Sequence, residues 1–88
     1  MRYGKTGPTL YTEIGERIML ARRRLGLSQR EFGKRLGVSH ASVSYLERGR
    51  SKPDLDNLAV IAEALGGPIS EIVVLDRPPV QAREEEQP

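Results

Sequence analysis

The chain has 88 residues and no cysteine, which leaves room for one domain with a single modest core and makes a second copy an expected source of stability. Without cysteine there is neither a disulfide framework nor a thiolate metal site, and the setting reads as reducing and cytoplasmic; no cofactor or metal is expected. A signal-peptide run is absent at the N-terminus, and no stretch nears the roughly 18 apolar residues that a membrane span needs. The net charge of +2 is unevenly laid out: residues 1 to 53 hold 12 Lys or Arg against 4 Asp or Glu, and residues 54 to 88 hold 2 against 8. A basic front and an acidic rear describe a molecule that offers one face to a polyanion and keeps the other in solvent.

Residues 1 to 11 carry Gly4, Gly7 and Pro8 with little apolar content and read as a loose arm. Thr12 is the expected cap of a first helix, with Glu13 and Glu16 at its positive end. Ile14, Ile18, Ala21 and Leu25 recur as one amphipathic stripe, and Gly26 ends the helix. Arg17 and Arg22 to Arg24 surround that stripe. Ser28-Gln29-Arg30-Glu31 is a capping box that starts a second helix. Phe32 and Leu36 form its buried face, and Gly37 stops it in a left-handed conformation.

Ser39 caps a third helix only two residues later, so the second and third helices must meet steeply with Val38 tucked between them, as in a helix-turn-helix. Gly33 is expected to let the two helices approach. The third helix is expected from His40 to Arg48, with Val43 and Leu46 inward and a short polar outer face. Asp54 caps a fourth helix whose stripe is Leu55, Leu58, Ile61, Ala62 and Leu65, closed by Gly66. Pro68 suits the start of a short fifth helix over Ile69 to Leu75, although Ile72-Val73-Val74-Leu75 is β-branched enough to form a strand. From Asp76 the chain is an acidic, apolar-poor tail. The expected organisation is therefore an arm over 1–11, an all-α domain over 12–75 and a disordered tail over 76–88.

Several of these stretches, Leu25-Gly26-Leu27-Ser28-Gln29, Leu36-Gly37-Val38-Ser39, Leu46-Glu47-Arg48-Gly49-Arg50, Pro53-Asp54-Leu55 and Ala64-Leu65-Gly66, stand in an order and at a spacing that resemble the Cro and phage-repressor (Xre-type) family of helix-turn-helix domains. The match runs from about Ile14 to Val73. It implies a five-helix, lambda-repressor-like domain that binds double-stranded DNA as a homodimer. Carried over by position, the third helix would read bases through His40, Ala41, Ser44 and Tyr45, while Gln29, Ser39, Ser42, Arg48, Arg50 and Lys52 would hold phosphates. A histidine can donate to or accept from a base edge, and an alanine can touch a thymine methyl. The plainer readings are that His40 is an exposed helix-start residue and that Tyr45 packs on its own helix. Relatives with glutamine or arginine here would have a bidentate reader that this chain lacks, so the operator sequence stays open.

The same resemblance implies an ion pair between Arg22 and Glu47, fixing where the third helix points; two independent surface charges are the alternative. It also places a dimer interface at Ile69, Ile72 and Val73, unless those side chains only cover the domain's own core. Half-sites would then lie about 34 Å apart on an inverted repeat. Catalysis fails on inventory, because one histidine, no cysteine and aspartates at helix starts give neither a triad nor a carboxylate pair. The competing function is an antitoxin-like or adaptor protein that meets a protein partner through the C-terminal segment and its acidic tail.

Overall fold

The structure, a computed structural model, describes residues 10–73. Most of the expected arm, the acidic tail and Val74 and Leu75 of the expected fifth helix lie outside those residues. Four α-helices follow one another, α1 (Leu10–Arg24), α2 (Gln29–Leu36), α3 (His40–Glu47) and α4 (Leu55–Ala64), before a 3-10 turn over Ile69–Glu71. No strand occurs among the described residues, so this part of the chain is all-α.

Three helix starts, those of α2, α3 and α4, are written locally in the sequence. The Ser28 hydroxyl accepts from the Glu31 N–H at 3.0 Å, and the Glu31 carboxylate accepts from the Ser28 N–H at 2.8 Å. Each side chain thus satisfies a backbone donor that the first turn of α2 leaves unpaired. The Ser28 backbone N–H, with the Ser28 side chain after it, holds the Glu31 carboxyl below its ordinary range. Asp54 does the same work singly for α4, accepting from the Asn57 N–H at 2.8 Å. The end of α2 is equally local. Gly37 adopts φ 77° and ψ 28°, and the next N–H, of Val38, closes on the Gly33 carbonyl at 2.8 Å.

The described first turn of α1 is held by tertiary contact instead. Leu10 and Tyr11, ahead of the cap expected at Thr12, are already helical and pack against the core. Thr12 itself abuts Gly49 so tightly that a Cβ there would lie 2.7 Å from the Thr12 Cα.

Ile14, Ile18 and Ala21 of α1, Phe32 of α2, Val43 and Leu46 of α3, and Leu58, Ile61, Ala62 and Leu65 around α4 make one core. Phe32 at its centre is fully buried, a transfer that stabilises by about 1.5–3 kcal/mol. Three residues expected inside are not. Leu25 follows the last residue of α1 and is 48 % exposed, and Leu55 opens α4 a turn before the core begins and is 70 % exposed. Val38 is 44 % exposed: its backbone is clasped between α2 and α3, but its side chain lies on the rim of a groove facing α4.

The expected fifth helix is corrected to the 3-10 turn. Pro68 precedes it without a side-chain cap, and Ile72, at its end, is 1 % exposed. A single tight turn is enough to drop that isoleucine into the gap beside α4, where Ile69 and Val73 pack as half-buried neighbours.

Candidate nucleic-acid interface

Where α3 points is decided by its inner face, which is gripped from two sides. On the α2 side, a Cβ on Gly33 would stand 2.6 Å from the Val38 carbonyl oxygen, so only glycine permits the short connection to run this close. On the α1 side, a Cβ on Gly15 would stand 2.5 Å from the Leu46 oxygen and 2.6 Å from the Glu47 oxygen. The last turn of α3 therefore lies directly on the α1 backbone. Gly15 is a functional position that the sequence reading passed over. Its signal was a glycine inside a helical stripe, which costs helix propensity and so asks for a packing reason.

An ion pair locks the same end. Arg22 Nε donates to Glu47 Oε2 at 2.6 Å and Arg22 Nη2 donates to Glu47 Oε1 at 3.1 Å, a bidentate arrangement with both side chains buried. Arg22 Nη1 donates further to the Leu27 carbonyl at 2.7 Å. Gln29 completes the cluster by donating from Nε2 to Glu47 Oε1 at 3.0 Å. The buried carboxylate thus has three donated hydrogen bonds, the compensation that a desolvated charge requires. For Gln29 this changes the picture drawn from sequence. One of its amide hydrogens is spent on Glu47, so its side chain links the head of α2 to the end of α3.

The outer face of α3 has a different character. His40, Ala41 and Tyr45 are exposed and Ser44 is half-buried, while Val43, Leu46 and Glu47 between them are buried. Ser39 and Ser42 are exposed at the head of the helix. The Ser39 hydroxyl accepts from the Ser42 N–H at 3.2 Å and lies 3.2 Å from the Ser42 hydroxyl, so Ser39 caps the helix as expected and retains limited capacity for another partner. Past the helix, Arg48, Arg50 and Lys52 are all exposed. The Arg48 guanidinium lies 5.5 Å from the centre of the Tyr45 ring, a stacking contact invisible to residue-by-residue reading.

Charge follows the same division. Glu47 is the one carboxylate in α3, and it is turned inward and neutralised by Arg22. What remains outward is uncharged or cationic, a surface suited to a polyanion. Arg35, on the far side of α2, leans instead toward the Ala64 carbonyl at the end of α4, 3.4 Å away. Of the three residues expected at a dimer interface, Ile72 is spent on the chain's own core, while Ile69 and Val73 keep part of their surface open.

No group of three or more His, Asp or Glu side chains able to hold a metal occurs among the described residues. The apolar groove between Val38 and Val60 has neither a histidine nor a carboxylate in its lining. No helix among the described residues is long and apolar enough to cross a membrane.

A family described as "Helix-turn-helix" matches residues 18–72. The chain is 46 % identical over 52 residues to the HTH-type transcriptional regulator DicA of Escherichia coli, a match covering 59 % of this chain and 38 % of DicA. Among solved structures it resembles the clp gene regulator ClgR of Corynebacterium glutamicum with a TM-score of 0.70 and 31 % identity, over 74 % of this chain and 69 % of that one. It also resembles the P22 c2 repressor in complex with a synthetic operator, with a TM-score of 0.63 and 33 % identity, over 69 % of this chain and 92 % of that one. The chain thus spans well under half the length of full-length DicA.

Proposed function

Because the chain belongs to the helix-turn-helix family and its curated relatives DicA and the P22 repressor protein C2 are transcriptional regulators by name, we propose that it is a cytoplasmic, sequence-specific regulator without enzymatic activity that seats α3 in the major groove of double-stranded DNA. The observation that carries this reading is the division of α3. Val43, Leu46 and the Glu47 carboxylate face inward, and the outer face bears His40, Ala41, Ser44 and Tyr45, followed by three exposed cations. His40, Ala41 and Ser44 would meet base edges, with Tyr45 beside them. Ser39, Ser42, Arg48, Arg50 and Lys52 would meet phosphates, with the Gln29 backbone at the head of α2. Phosphate contacts fix register and base contacts select sequence, so both sets are needed.

Two copies would act together on an inverted repeat, with their α3 helices about 34 Å apart. The partly open edges of Ile69 and Val73 are the available surface for the mate, and Ile72 beneath them holds that surface in place. The protein would act as a repressor or controller by occupying its operator.

A titration of the protein into labelled operator duplex at several salt concentrations tests this. Three cations per subunit in a dimer should give a slope of log K against log salt of about −5, at roughly −0.9 per phosphate neutralised. A flat profile would contradict the proposal.

A further inference from the structure

We propose that Tyr45 serves as a positioning residue that holds Arg48 ready for a DNA phosphate, and is not itself a reader of base edges; this rests on the DNA-binding reading above. Arg48 occupies the position just after α3, where its backbone is fixed. Its N–H donates to the Ser44 carbonyl at 3.0 Å, and the turn behind it is closed by Gly49 N–H to the Leu46 oxygen at 3.1 Å and Arg50 N–H to the Tyr45 oxygen at 2.9 Å. Gly49, at φ 75°, reverses the chain at that point. The side chain is then restrained by two weak contacts acting together. Arg48 Nε donates to the Ser44 carbonyl at 3.4 Å, and the guanidinium lies over the Tyr45 ring at 5.5 Å.

Both residues are exposed, and Tyr45 is 52 % so, which means neither is needed for the core. The two terminal nitrogens of Arg48 have no partner among the described residues. They form a planar fork whose spacing matches two oxygens of one phosphate. A long cationic side chain that is already oriented loses less freedom on docking than one that must be frozen there. The tyrosine ring, with one face occupied by the guanidinium, is correspondingly less available to a base.

The experiment measures duplex affinity across salt for the unaltered chain, Tyr45→Phe, Tyr45→Leu, Arg48→Ala and the Tyr45→Leu/Arg48→Ala double variant. It adds the ring-current shift of the Arg48 side-chain protons by NMR in the free proteins. Phenylalanine keeps the aromatic face, so Tyr45→Phe should bind within about twofold of the unaltered chain and keep the shift. Tyr45→Leu should lose the shift and bind about two- to fivefold more weakly with the salt slope unchanged. Arg48→Ala should reduce the slope by about 0.9 per subunit, and adding Tyr45→Leu to it should cost nothing more. Equal losses in Tyr45→Phe and Tyr45→Leu, or additive losses in the double variant, would overturn the proposal. Absence of the ring-current shift in the unaltered chain would overturn it whatever the duplex does. If the shift is present and no duplex is bound, the stack stands but the DNA-binding reading falls and takes the phosphate role with it.

Discussion

The two faces of α3 are built on opposite principles. Inward, every feature is fixed by a neighbour: Val43 and Leu46 by the core, Glu47 by Arg22 and Gln29, the last turn of the helix by Gly15, and the connection leading into it by Gly33. Outward, His40, Ala41 and Tyr45 are exposed and stabilise nothing in the core. The difference teaches that aim and recognition are separable. Substitutions on the inner face should change stability and the direction of the helix, and those on the outer face should change only what it binds.

The largest test of that separation is the buried ion pair. Arg22→Ala or Glu47→Ala leaves an uncompensated buried charge and should cost about 3–5 kcal/mol in chemical denaturation. The double variant should cost clearly less than the sum, since the partners are coupled; strict additivity would mean that the two charges act independently. Gly15→Ala comes next. Its methyl must displace backbone carbonyls, and a loss of about 1–3 kcal/mol is expected despite alanine's better helix propensity. A more stable variant would show that α1 and α3 have room to spare.

These features also show what could be read in advance. The capping box at Ser28, the left-handed Gly37, and the caps at Ser39 and Asp54 were legible because each is a contact within four residues. Leu25 and Leu55 were misplaced because a periodic stripe gives the buried face of a helix but not where the surface packed against it ends. The packing of Leu10 and Tyr11 on the core and of Thr12 against Gly49 joins residues far apart in the chain, and so left no mark near Thr12. The bond from Gln29 to Glu47 spans 18 residues, and nothing in either local pattern announces it. Ile72 carried too little information to separate a surface from a core, since an apolar residue after α4 serves either.

Smaller effects sharpen the comparison from the side of α2. Ser28→Ala removes the reciprocal cap and should cost about 1 kcal/mol of stability, measurable as a lowered Tm. The same cap gives an acid dependence. The carboxyl of Glu31 is held below its ordinary range by Ser28, so the stability it supplies is present above the unfolded-state value. It is lost as pH falls through the lower folded-state value. Removing the carboxylate in Glu31→Gln should flatten that acid limb, and an unchanged limb would locate the effect elsewhere.

The smallest expected change in stability lies on the outer face. His40→Ala and Ser44→Ala should each leave stability within about 0.5 kcal/mol of the unaltered chain, while weakening operator binding by about 1 kcal/mol each through lost base contacts. A stability loss as large as that of Gly15→Ala would erase the distinction between the faces.

The most direct measurement is selection of bound sequences from a random duplex pool, run in parallel on the unaltered chain and on a His40→Gln/Ser44→Gln variant, since glutamine can read adenine through two hydrogen bonds. The unaltered chain is expected to enrich an inverted repeat with half-site centres about one helical turn apart, and the variant to enrich altered half-sites at the same spacing. Enrichment of one identical sequence by both proteins, or of none by the unaltered chain, would contradict the assignment of α3 as the reading helix.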